Sequence, residues 1–128
     1  MIQRALRRPA RARVRAVQAD LHHLPFRDGA FDAVTGSLVF CSVAEPDRAL
    51  GEVYRVLRPG GCLILLEHTR GRGSGAWLTD LLHPLWFAWN GVCHLNRETV
   101  QSIQQAGFRL QREESRILGI FRLIGGVK

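Results

Sequence analysis

The run EVYRVLRPGGCLILLEH, Glu52 to His68, changes its periodicity halfway along, and that change decides the fold. Upstream of it Pro46 and Asp47 put a proline and an acid in a first helical turn, where the N–H is expendable and the dipole favours negative charge. Apolar Ala49, Leu50, Val53, Val56 and Leu57 then recur at helical spacing and define one buried face. Arg55 and Arg58 stand near the carboxyl end, and Pro59, Gly60 and Gly61 make the turn. Cys62 to Leu66 follows as a continuous apolar strand. Phe31 to Phe40 (FDAVTGSLVF) is a second such run, and its lack of polar alternation suits a strand covered on both faces. Strand, helix and strand on short connections predict a right-handed βαβ unit with the two strands adjacent and parallel.

Working outward, Val14 to Ala19 (VRAVQA) alternates as a short strand, preceded from Ile2 to Arg13 by a helical pattern that Pro9 interrupts. Asp20 ends that strand, and Pro25, Asp28 and Gly29 mark a loop. On the other side Glu67 and His68 stand at a strand end, and RGRGSG (Arg70 to Gly75) reads as a flexible linker. The segment Ala76 to Leu95, with Asp80, His83 and Pro84 inside it, reads as one or two helices on an apolar support. Asn96 caps a last helix that runs to Gly107. Arg109 to Arg116 and Gly119 to Val127 read as two closing strands, and the short turn between them suits an antiparallel hairpin.

The chain has 128 residues, is 46% hydrophobic and carries a formal charge of +7, which suits one modest globular domain and excludes disorder and multiple membrane spans. Every basic residue but Lys128 is arginine. Arg4, Arg7, Arg8, Arg11, Arg13 and Arg15 crowd an acid-free start, and the remainder is close to balanced. Without an aromatic platform or basic stripe, that start predicts no nucleic-acid partner. It has neither the serine of an import segment nor the apolar stretch of a secretory signal. Cys41, Cys62 and Cys93 form no CxxC or zinc-spaced cluster, and His22 and His23 lack a ligand partner, so the spacing predicts no metal and a reduced, cytoplasmic setting.

Three segments, DLHHLPFRDGAFDAV (20–34), EPDRALGEVYRVLRPGGCLILLEH (45–68) and NRETVQSIQQAGF (96–108), resemble the carboxyl-terminal part of class I S-adenosylmethionine-dependent methyltransferases, YRVLRPGG most specifically. SLVFCSV, the LLEH strand end, HPLWFAWNGVCHLNRET and the Gly-Val-Lys ending resemble the methyltransferase-like 7 type, whose members act on thiols and associate with membranes. The resemblance implies an α/β, Rossmann-like sheet with helices on both faces, strand order 3-2-1-4-5-7-6 and an antiparallel last strand. It also implies a single partial domain: a basic lead-in over 1–13, then strands three to seven over 14–128. The family's glycine-rich turn after strand one and ribose-binding acid after strand two do not occur here. Gly71, Gly73 and Gly75 follow the wrong strand to replace them. Met1 therefore resembles an internal start, and strand four is left as an open apolar edge.

The resemblance gives the site residues their expected roles. Asp20 and Leu21 end strand three and would meet the adenine of S-adenosylmethionine. Ser37 and Leu38 end strand four, at the crevice where open α/β sheets bind ligands. His68 would take a proton from the acceptor, with Glu67 placed to orient it. Trp77, Trp86, Phe87 and Trp89 would form an apolar substrate cap or a peripheral membrane contact. The implied function is in-line methyl transfer to a small, lipophilic or thiol acceptor. The competing reading is a non-catalytic chain that binds no cofactor and acts by pairing with another protein.

Overall fold

A computed structural model describes residues 15 to 128, so the helix read over Ile2 to Arg13 lies outside the described residues. Within them the chain runs β1 (Phe31–Ser37), α1 (Pro46–Val56), β2 (Leu57–His68), α2 (Ser74–Asn90), α3 (Thr99–Gln105), β3 (Arg109–Arg116) and β4 (Phe121–Val127). The strands form one sheet in the order β1-β2-β4-β3. β1 and β2 are parallel with α1 as their crossover, and β4 inserts antiparallel between β2 and β3. Both pairings agree with the sequence-based expectation.

Helix α1 buries Ala49, Leu50, Val53 and Val56, the face its periodicity predicts. That face meets Leu63 and Leu65 of β2, together with Ile103 of α3 and Phe108, in one core. The turn after α1 is absorbed into β2. Phe31 pairs with Leu57 and Ala33 with Cys62, so two steps along β1 match five along β2. The surplus is the Arg58–Gly61 bulge, where Gly60 adopts φ +75, a value costly for any residue with a Cβ. Lys128, the only lysine, caps α1: its ammonium donates to the carbonyls of Tyr54 (2.7 Å) and Leu57 (2.8 Å) and lies over the Tyr54 ring. A cation there satisfies carbonyls that the helix end leaves unpaired and opposes the negative end of its dipole.

Several expectations need correction. Residues 15–19 are exposed and carry no ladder, so VRAVQA is not a strand here; a strand persists only where a neighbour satisfies its backbone groups, and no described strand lies beside it. β1 is half exposed rather than covered on both faces, because it is the sheet's edge. β2 alternates: Leu63, Leu65 and Glu67 are buried, while Ile64 and Leu66 are about two-fifths exposed on the opposite face. Helix α3 starts at Thr99 rather than after an Asn96 cap. Glu98 takes the cap position with its carboxylate turned to Arg70. Gly71 and Gly75 of RGRGSG pack tightly instead of forming a slack linker, while Gly73 between them takes a left-handed φ of +56. A Cβ on Gly71 would stand 2.4 Å from the Gly75 carbonyl carbon, and one on Gly75 would stand 2.2 Å from the Leu118 carbonyl oxygen.

The loop before β1 is fastened to α1 by one arginine. Arg55 donates to the carbonyls of Phe26 and Leu24 and to the carboxylates of Asp28 and Glu52. Glu52 in turn accepts the Leu24 N–H at 2.9 Å. These bonds, the Arg55 ones foremost, hold the Glu52 carboxyl down at about 2, against an ordinary 4.5. A folded-state pKa below the unfolded one stabilises fully above the ordinary value, and that stabilisation is lost as pH falls towards about 2. Glu52→Gln should therefore unfold at lower urea than the parent at pH 7, with the gap closing as pH falls and absent near pH 2. A gap of constant size across that range would show that the charge is not what fastens the loop.

Candidate functional site

Parallel pairing brings the carboxyl ends of β1 and β2 side by side, with Ser37 opposite Leu66. The chain then turns sharply: the Leu38 N–H bonds the Leu66 carbonyl at 2.8 Å while Leu38 sits at φ 54. For a branched side chain that left-handed geometry costs about 1–2 kcal/mol, so something must hold it. Glu67 does. Its carboxylate, fully buried, accepts the N–H groups of Val39 (2.9 Å) and Phe40 (3.0 Å) on Oε1 and that of Cys41 (3.2 Å) on Oε2. Three successive amides converging on one oxygen pair form an anion cradle, here filled by the protein's own carboxylate. Glu67 was expected to orient His68; strand alternation instead points the two side chains to opposite faces.

His68 is half buried, edge-on to Phe121 (ring centroids 4.4 Å apart) and to Trp86 (6.4 Å). Burial lowers its pKa below the ordinary value, with Glu67 opposing in part, so the ring is neutral near pH 7. Its Nδ1 lies 3.6 Å from Cys93 Sγ. Cys41 Sγ joins them, and the three atoms all lie within 4.8 Å of one another. Burial pushes the Cys41 thiol up to about 12. The loops that carry the cysteines are tied together where the His94 N–H meets the Cys41 carbonyl at 2.8 Å and Arg97 meets the Phe40 carbonyl at 3.0 Å. Beside them the indole N–H of Trp86 is buried with no acceptor among the described residues. Linear spacing could not reveal this cluster, because its members come from one strand end and two separate loops.

Asp20 and Leu21 lie apart from this group. The Asp20 carboxylate is exposed and engaged locally, accepting the His22 N–H at 2.9 Å and facing His22 Nδ1 at 2.8 Å, which is the geometry of an Asx turn. Leu21 packs against the core and lines an apolar hollow of about 290 Å³ with Leu24, Phe26, Phe31 and Val34. Ser37 and Leu38 are exposed at the crevice edge. Two further hollows, of about 280 and 260 Å³, surround Arg97 and Glu98, and His68 lines neither.

The aromatic segment divides in two. Trp86 turns inward to His68, whereas Trp77 and Trp89 are joined by Leu81 and Leu85 at four-residue intervals in an exposed stripe along α2. Phe87 stacks near His94 and His83. No described helix is long and apolar enough to cross a membrane.

A family model described as a methyltransferase domain matches residues 1–65, just over half of the sequence. The chain belongs to the methyltransferase domain family, of the class I type. Rat (Rattus norvegicus) thiol S-methyltransferase TMT1B is 45% identical over 83 residues, 63% of this chain and 34% of that protein. The demethylmenaquinone methyltransferase of Thermus thermophilus is 56% identical over 64 residues, 48% of this chain and 29% of that protein. This methyltransferase-family chain thus spans about a third of the length of these curated relatives. A SAM-dependent methyltransferase structure from Methanosarcina mazei superposes with a TM-score of 0.69 at 19% identity, covering 98% of this chain and 74% of that one, which establishes the shared Rossmann-like fold. In that fold the sheet described here corresponds to strands four, five, seven and six.

The cradle makes a direct prediction. Glu67→Ala would leave the half-buried Val39 amide and the buried Phe40 and Cys41 amides without an acceptor, and at about 1–3 kcal/mol for each buried one stability should fall by about 2 kcal/mol or more. Glu67→Gln, which keeps one oxygen, should fall by less. Chemical unfolding of both variants checks it, and an Ala variant within about 1 kcal/mol of the parent would contradict it.

Proposed function

We propose that this chain carries the acceptor side of S-adenosylmethionine-dependent methyl transfer to a small, lipophilic thiol. The observation that carries the reading is His68. It is a neutral imidazole at the carboxyl end of a central strand, walled by Trp86 and Phe121, in a chain 45% identical over its matched part to a protein named as a thiol S-methyltransferase. When bound, S-adenosylmethionine supplies an electrophilic methyl group. His68 accepts the thiol proton, the aromatic rings exclude water from the developing thiolate, and the unpaired Trp86 N–H is a donor for it. The exposed α2 stripe would rest on a lipid surface, which suits a cytoplasmic protein that draws lipophilic acceptors from a membrane.

The described residues do not fit the whole cofactor. Gly71 and Gly75 approach their own chain too closely to cradle a ligand, and the Val39–Cys41 amides are taken by Glu67. What remains is the flank of Asp20, Leu21, Ser37 and Leu38. A second reading, a non-catalytic chain that acts by association, is favoured by the open β1 edge and the apolar hollow beside it.

Calorimetric titration should give S-adenosylmethionine affinity at least a hundredfold weaker than low micromolar, since two lost charge-assisted contacts of about 1.5–3 kcal/mol each suffice. Low-micromolar binding abolished by Asp20→Ala would overturn the partial-site reading. At millimolar S-adenosylmethionine, His68→Asn should slow methylation of a thiol of pKa about 8.5 by up to roughly thirtyfold at pH 7, where about 3% of it is ionised unaided, and by far less above pH 9. An equal loss at both pH values would assign His68 a structural role; no transfer at any pH would favour the associative reading.

A further inference from the structure

We propose that Cys41, His68 and Cys93 form a binding site for one zinc-like divalent ion, held by two thiolates and the imidazole Nδ1. Zinc bonds of about 2.3 Å to sulfur and about 2.1 Å to nitrogen, at a tetrahedral angle, place the two ligand atoms about 3.6 Å apart. The Cys93 Sγ to His68 Nδ1 separation is 3.6 Å. The same arithmetic puts two sulfurs about 3.8 Å apart, and all three ligand atoms here lie within 4.8 Å of one another. Little movement is needed to close the triad on an ion.

The surroundings hold that geometry before any ion arrives. Cys41 is fixed by its N–H bond to Glu67, and its carbonyl accepts from His94, the residue after Cys93. His68 is pinned at the end of β2 opposite Phe121. Charge favours a divalent ion as well. Glu67 and Arg97 are opposite in sign and offset one another, so two thiolates and a neutral imidazole lack two positive charges. Binding would release two thiol protons to solvent and leave the centre neutral. Two sulfurs and one nitrogen suit zinc, and three protein ligands leave a fourth position for water or a small ligand.

The site does not depend on the methyl-transfer reading. A metal-bound Nδ1 leaves His68 unable to act as a base, so the base assigned above belongs to the metal-free chain. The test accordingly reads no activity. The whole chain, reduced and stripped with a chelator, is titrated with Co2+ and the absorption is recorded. We expect one equivalent to produce the thiolate-to-cobalt charge-transfer band and the intense visible bands of a tetrahedral centre, both erased by Zn2+. Cys93→Ser, Cys41→Ala and His68→Asn should each weaken binding by at least a hundredfold, and Cys62→Ser should leave it unchanged. His68 is only half buried, so its variant stays informative where Cys41→Ala fails to fold. Absence of the band in the parent chain would overturn the proposal, as would a band that survives Cys93→Ser or that needs Cys62.

Discussion

Three amide hydrogen bonds to one buried carboxylate set the geometry of the strand-end region. Without Glu67 the residues after β1 have no reason to double back: Leu38 is strained, and Val39 to Cys41 present donors that burial would leave unpaired. With it, the β1 loop is fastened to the end of β2, and Cys41 is carried to the side of His68. An anion cradle that elsewhere would await a ligand is closed by the protein itself. The same three bonds therefore shape a fold element and take up amides that a ligand could otherwise have met.

The βαβ unit was legible because its signals are local and redundant. Helical spacing from Ala49 to Val56, the Pro-Gly-Gly stop and the apolar run after it each point the same way, and the burial of α1 follows its spacing. The hairpin of β3 and β4 was legible for the same reason. The misreadings concern partners rather than propensity. VRAVQA alternates as a strand should, yet a ladder needs a neighbour, and none of the described strands supplies one. RGRGSG looks slack by composition, but at Gly71 and Gly75 the Gly75 and Leu118 backbones come within 2.2–2.4 Å of where a side chain would stand.

The candidate site was legible only in part. His68 and the Ser37–Leu38 crevice follow from strand ends, which sequence marks well. That Cys41, His68 and Cys93 converge does not follow, since one ends β2, the others lie in two separate loops, and no spacing rule joins them. Asp20 shows what position alone leaves out: it follows a strand-like stretch where a ligand role is expected, and its Oδ1 also makes the Asx turn it initiates while the carboxylate stays exposed.

Arginine composition and lysine scarcity acquire meaning at the level of single bonds. A guanidinium can reach several acceptors at fixed angles, and Arg55 uses that fork to bind two carbonyls and two carboxylates at once. An ammonium is a compact charge, better suited to gather converging carbonyls, and the sole lysine does this at the end of α1. Arg55 fastens the loop that leads into β1, and Lys128 joins the end of β4 to the start of β2. Between them they close both flanks of a sheet whose β1 edge and Ile64–Leu66 face stay open. The described core lies on the helix-covered face, where α1 and α3 meet Leu63 and Leu65 of β2 and Ile124 of β4. A chain spanning about a third of its curated relatives' length thus holds a defined core and an ordered strand-end cluster within its described residues.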